Sequence, residues 1–280
     1  MSLPFLFSSG SLWSYAVERC FALAAAAGFD GLELMVDMRW ETRQPSSIKA
    51  LMDRYQLPVR AVHSPFMPSV PGWPHDQPGR ILKSIVLADA IGAEVVVHHL
   101  PARIGIWWVS APGRMFPVPG LTNPDHVYKR WLETEYSGVQ AGTSVQLCIE
   151  NLPAFQRFGR RWNYAHWNTP KALARFPNVT LDTTHLGTWG LEPADVYPAL
   201  NEQVKHVHLS NYDGREHLRP EAGRLALDSF LAQLAAEEYS GAVSLELQPE
   251  ALDAGQPDDH VRQLMEGSLA FCRRAAGGPS

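Results

Sequence analysis

Short apolar runs recur along the chain, separated by longer stretches in which Ala and Leu return at helical spacing. The runs predict strands at 5–8, 31–35, 59–63, 94–98, 145–150, 179–182, 204–208 and 242–246. Amphipathic segments such as 15–27, 80–91, 193–201 and 228–238 predict helices between them. Strand and helix alternating eight times imply parallel strands joined by crossover helices. Spread over 280 residues, eight units take about 35 residues each, enough for a strand, a helix and two turns. The pattern predicts a (β/α)8 TIM barrel. No Pro/Gly-rich linker or shift in composition divides the chain, so residues 1–280 are expected to form a single domain.

The polar residues fall at one place in this rhythm. The apolar runs end in His63, His98, Glu150, Asp182, His208 and Glu246. An ionised group closing a buried strand is costly unless it is paired or bound to a cation. Side chains two apart on a strand share a face, so Ala61, Val96, Cys148, Thr180, His206 and Ser244 are expected below these six. All six would then point into the barrel mouth, where three converging carboxylates repel one another unless a cation neutralises them. Glu150, Asp182, His208 and Glu246 are therefore expected to ligate a divalent metal. His75, His99 and His166 lack the same placement and are read as surface or loop residues.

Three segments break the rhythm: 100–122 with Trp107 and Trp108, 152–169 with Trp162, and 211–226. Each follows a strand, so each is expected on the C-terminal face, where barrels build their sites. A formal net charge of −5 and the lack of a basic run argue against nucleic acid as a partner. Cys20, Cys148 and Cys272 lie far apart and read as reduced, buried thiols. With no signal-peptide pattern and no long apolar run, a cytoplasmic protein without membrane contact is expected. The aromatic loops leave a homodimer open.

The motifs AVHSP, VVVHH, CIENLP, LDTTHLG, HVHLSN and SLELQP resemble the successive strand ends of the xylose-isomerase-like TIM-barrel superfamily. That superfamily includes sugar-phosphate isomerases and epimerases, ketose 3-epimerases and the endonuclease IV enzymes, and the resemblance runs from Phe5 to about Leu247. It implies that Glu150, Asp182, His208 and Glu246 hold one Mn2+, Co2+ or Zn2+, and that His185 contacts a substrate oxygen. It also implies that His63 and His98 match ligands of a further zinc in the endonucleases, and His217 a ligand of a third. This chain reads Arg215-Glu216-His217 where those enzymes resemble Asp-x-His, so the third zinc would lose a carboxylate.

The expected activity is that of a metal-dependent isomerase or epimerase acting on a small sugar or sugar derivative through an enediolate. Glu150 and Glu246 would pass the proton, and His185 and Arg215 would stabilise charge on oxygen. Trp107, Trp108 and Trp162 would close over the sugar. Arg160, Arg161, Arg215 and Arg219 are the candidates for a phosphate group. The alternative is a zinc-dependent phosphodiesterase of the endonuclease IV, abasic-site type. A barrel that keeps the site as a binding or regulatory subunit is a third reading.

Overall fold

The computed structural model describes residues 3–104, 106–111, 114–119, 125–157 and 159–278, with 106–111, 114–119 and 157 described by their backbone alone. Eight parallel strands close into a barrel: β1 (Phe5–Ser8), β2 (Gly31–Met35), β3 (Val59–His63), β4 (Val95–His99), β5 (Gln146–Glu150), β6 (Val179–Asp182), β7 (Val204–Leu209) and β8 (Ala242–Leu245). Each pairs with its neighbour in sequence, and β1 pairs with β8 to complete the ring. Two short antiparallel hairpins, Ile106–Ala111 with Arg114–Pro119 and Phe155–Arg157 with Arg160–Trp162, rise from the loops after β4 and β5. The side chains of Trp107 and Trp108 lie outside the described residues. No helix among the described residues is long and apolar enough to cross a membrane.

Residues 193–201 do not form the single helix expected. A four-residue α-turn (Pro193–Val196) passes into the 3-10 turn Tyr197–Ala199, since Pro198 offers no backbone N–H to continue it. The other helices stop where their sequences permit. Val17–Ala27 and Gln77–Ile91 end on Gly28 and Gly92, both left-handed with φ 83° and 78°.

Most apolar residues pack between barrel and helices. A smaller cluster of Leu6, Ala61, Val95, Val97 and Cys148 fills the inside of the barrel. That placement corrects one strand. Register pairs Val97 with Cys148, His98 with Ile149 and His99 with Glu150, so β4 turns Val95, Val97 and His99 inward and Val96 and His98 outward. The run Val95–His99 has no alternation, so its own sequence leaves the face undecided and the neighbouring strand fixes it.

Candidate metal centre

The carboxyl ends of the strands are fastened to one another by side chains, and the sequence motifs are those fasteners. Asn151, next after Glu150, donates from Nδ2 to Asp182 O (3.0 Å), and its Oδ1 accepts from Asp182 N (2.8 Å). Its amide extends the β5–β6 ladder by one rung. Thr183 Oγ1 donates to Ser210 O (2.7 Å) and accepts from Ser210 N (3.0 Å). Thr184 Oγ1 donates to Asn211 O (3.0 Å) and accepts from His217 N (3.1 Å). Ser11 Oγ holds Leu245 O (3.3 Å) and Leu247 N (2.8 Å), on either side of Glu246.

Asp182 serves two purposes. It is the N-cap of the helix Thr183–Trp189, its Oδ1 accepting the His185 N–H at 2.7 Å. A capping aspartate receives the amide of the third helical residue, which is why the spacing D-T-T-H brings His185 beside it. Asp182 Oδ2 is buried without a hydrogen-bond partner.

Glu150, Asp182, His208 and Glu246 each offer a ligand atom, and these four atoms lie within 4.8 Å of one another. His208 Nδ1 stands 2.9 Å from Glu246 Oε2, 3.2 Å from Glu150 Oε1 and 3.8 Å from Asp182 Oδ2. Glu150 faces two ways. Its Oε1 turns to His208, while its Oε2 lies 3.3 Å from His63 Nε2 and 3.2 Å from His99 Nε2. His63, His99 and Glu150 therefore form a second group of convergent donors, and Asp182, His185 and His217 form a third.

The electrostatics reflect the crowding. Burial disfavours ionised Glu150, but the His208 charge and hydrogen bonds from His208, His63 and His99 outweigh it and hold its carboxyl well below the usual range. Glu246 is likewise held at about 2, burial being overcome by His208. Asp182 goes the other way: burial, with the charges of Glu150 and Glu246, pushes it well above the usual range. His208 is raised well above an ordinary imidazole because Glu33, Glu246 and Glu150 together exceed its burial. Three carboxyl groups face one imidazolium, an imbalance that a divalent cation would offset.

His98 is not part of this assembly. It points between helices, its Nδ1 2.8 Å from Tyr128 Oη and its Nε2 2.9 Å from Tyr136 Oη. His99, expected at the surface or in a loop, takes the inward position, stacked on Phe66 with ring centroids 5.2 Å apart. Arg215 is not brought to the carboxylates either. Its guanidinium folds back on Asp213 (2.7 Å) with the side chain 77% exposed. Among the other cations considered for phosphate, Arg219 pairs with Glu221 and Arg161 donates to Trp189 O. His217 sits near the site as expected, its Nδ1 3.1 Å from Glu246 O.

Glu33 was not foreseen. It is wholly buried on β2 beneath the site, with His206 and His208 on the same oxygen. The sequence does hold a signal: a lone glutamate between Leu32 and Leu34 on an apolar strand must find a partner if it is buried.

The geometry defines a (β/α)8 barrel with three adjoining groups of His, Asp and Glu at its mouth. By sequence the chain belongs to the xylose isomerase-like TIM barrel family, which it matches over residues 21–273. Uncharacterized proteins of Mycobacterium leprae (strain TN) and Mycobacterium tuberculosis (strain ATCC 25618 / H37Rv) are 24% and 25% identical to it, each over 95% of both chains. Among solved structures, 3-keto-D-glucoside 4-epimerase YcjR from E. coli superposes with a TM-score of 0.68 at 18% identity, covering 97% of this chain and 99% of that one. D-psicose 3-epimerase from Clostridium cellulolyticum H10 gives 0.67 at 14%, covering 99% of each chain. AP endonuclease, family 2 from Brucella melitensis gives 0.64 at 16%, covering 92% of this chain and 96% of that one. At these identities the likeness is one of fold.

Proposed function

We propose that this chain is a metal-dependent isomerase or epimerase of a sugar or sugar derivative. The observation that carries the reading is the tetrad of Glu150, Asp182, His208 and Glu246, with Asp182 Oδ2 buried and without a hydrogen-bond partner. Three carboxylates and one imidazole form a hard oxygen-and-nitrogen donor set of the kind that suits Mn2+, Co2+ or Zn2+. When bound there, the cation would polarise a substrate carbonyl and offset negative charge on its oxygen. The remaining chemistry falls to the chain.

Glu246 is the tetrad member most open to the mouth, 15% exposed where the others are at most 1%. Its carboxylate is placed to take the proton from a carbon next to the carbonyl, leaving an enediolate. Glu150, whose Oε1 lies 3.2 Å from the same His208 Nδ1, is ionised and so first takes a proton at Oε2 from protonated His63, 3.3 Å away. It delivers that proton to the opposite face in an epimerase or to the adjacent carbon in an isomerase, while Glu246 gives its own up to solvent and His63 is reprotonated. His185 Nδ1 is committed to Asn151 O at 2.8 Å, so its Nε2 is the acceptor for a substrate hydroxyl proton. Arg215, turned to Asp213, has no part in this scheme.

The test is solvent exchange in D2O with a panel of ketohexoses. The Mn2+-loaded protein should incorporate deuterium at carbon, and Glu246→Gln should slow this by about 100-fold or more with the fold intact by circular dichroism. Normal exchange in that variant would sink the role of Glu246.

A second reading has its own observation. The group His63, His99 and Glu150 adds a donor set that a one-metal epimerase does not need, and it favours a zinc-dependent phosphodiesterase of the abasic-site type. Two or more cations per chain, one of them lost in His99→Ala, together with cleavage of abasic DNA and no deuterium exchange, would establish that reading in place of the first.

A further inference from the structure

Glu33 takes no part in the proton transfers above, yet it is 0% exposed inside the barrel. A carboxylate is costly there unless every lone pair it presents is used. Its Oε2 lies 2.6 Å from His206 Nε2 and 3.0 Å from His208 Nε2, and its Oε1 accepts from Ser8 Oγ at 3.3 Å. An ionised carboxylate only accepts, so both imidazoles must carry hydrogen on Nε2. For His206 this leaves Nδ1 as a bare lone pair, and that atom is the one buried without a partner. For His208 it leaves Nδ1, the atom 2.9 Å from Glu246 and 3.2 Å from Glu150.

We propose that Glu33 is a positioning residue for the cation centre. It fixes His208 with Nε2 protonated, so that the Nδ1 lone pair faces the space enclosed by Glu150, Asp182 and Glu246. The inference rests on reading that tetrad as a divalent-cation site. A carboxylate behind a metal-bound imidazole sets both its orientation and its basicity. Here the carboxylate comes from β2, across the barrel from β7. Ser8 and His206 hold Glu33 in turn, so His208 is oriented by the packed interior of the barrel and not by a mouth loop.

Glu33, His206 and His208 also lie close enough together to ligate a cation themselves. Such a cation would require both Nε2 atoms bare, and the hydrogen of His208 would then sit on Nδ1, donated to Glu246 and Glu150, where it removes that nitrogen from the tetrad's ligands. His208 serves one centre or the other.

Glu33→Gln keeps the size and one acceptor oxygen. It should weaken Mn2+ binding about 10- to 100-fold by calorimetry, with the number of ions per chain unchanged. In 15N-histidine-labelled wild type loaded with Zn2+, the His208 ring should show hydrogen on Nε2 and the metal-induced shift on Nδ1. That measurement needs no variant and decides the matter should Glu33→Gln fail to fold. An unchanged Kd for Mn2+ in Glu33→Gln would overturn the positioning role alone. So would the loss of one ion per chain, or hydrogen on His208 Nδ1 in the Zn2+-loaded wild type. Failure of the wild type to bind either ion would overturn this inference and the proposed function together.

Discussion

His98 gives a quantitative test of how the barrel wall is built. Burial between the helices pushes its pKa from an ordinary 6.5 down to about 3. Between those values the unfolded chain carries a proton that the folded chain does not, so stability falls as the pH falls. For a shift from 6.5 to about 3, linkage puts the loss at about 2 kcal/mol by pH 5 and about 3 kcal/mol by pH 4, relative to pH 8. Glu33, Glu150 and Glu246 also destabilise in acid, since their pKa values are held low in the folded state. The wild-type profile alone therefore does not isolate His98. His98→Phe does, because without the imidazole the Tyr128 and Tyr136 hydroxyls can both donate to carbonyls, His99 O (2.8 Å) and Leu147 O (2.7 Å). Urea unfolding of both metal-free proteins at pH 8, 6, 5 and 4 is the assay. A constant offset between them is packing, whereas a gap that closes by about 3 kcal/mol toward pH 4 is the proton. Parallel profiles would refute the neutral, buried histidine.

Three further outcomes are expected. Mn2+ at 100 times its Kd should stabilise the protein by about 2.7 kcal/mol, roughly 5 °C in Tm, and EDTA should reverse it; a Tm indifferent to both would count against the tetrad as a cation site. At Gly187, an added Cβ would lie 2.8 Å from Tyr212 Cβ, and Tyr212 is buried with its hydroxyl held by Gln156 at 2.8 Å. Gly187→Ala should cost about 1–3 kcal/mol in urea unfolding, while Gly138→Ala, which meets nothing within 4 Å on the helix Tyr136–Ala141, should stabilise by about 0.5–1 kcal/mol.

The periodicity of the chain determined the fold by itself. Eight apolar runs spaced by helices admit one closed parallel arrangement, and four of the eight strands fall on the expected residues, three differ by one residue at one end, and Val95–His99 is displaced by one residue. Glu150, Asp182, His208 and Glu246 were legible too, because each closes a run whose neighbours show which face it takes. What the chain could not determine was anything set between strands. Val95–His99 has no alternation, so only pairing with Gln146–Glu150 decides that His99 and not His98 enters the mouth. Arg215 has the right neighbours in sequence, but Asp213 is nearer to its guanidinium than any carboxylate of the site. Glu33 and His208 are far apart in sequence, and only closure of the barrel lays one carboxylate oxygen against two imidazoles. Local pattern fixes which element a residue belongs to, and the register between elements fixes what it touches.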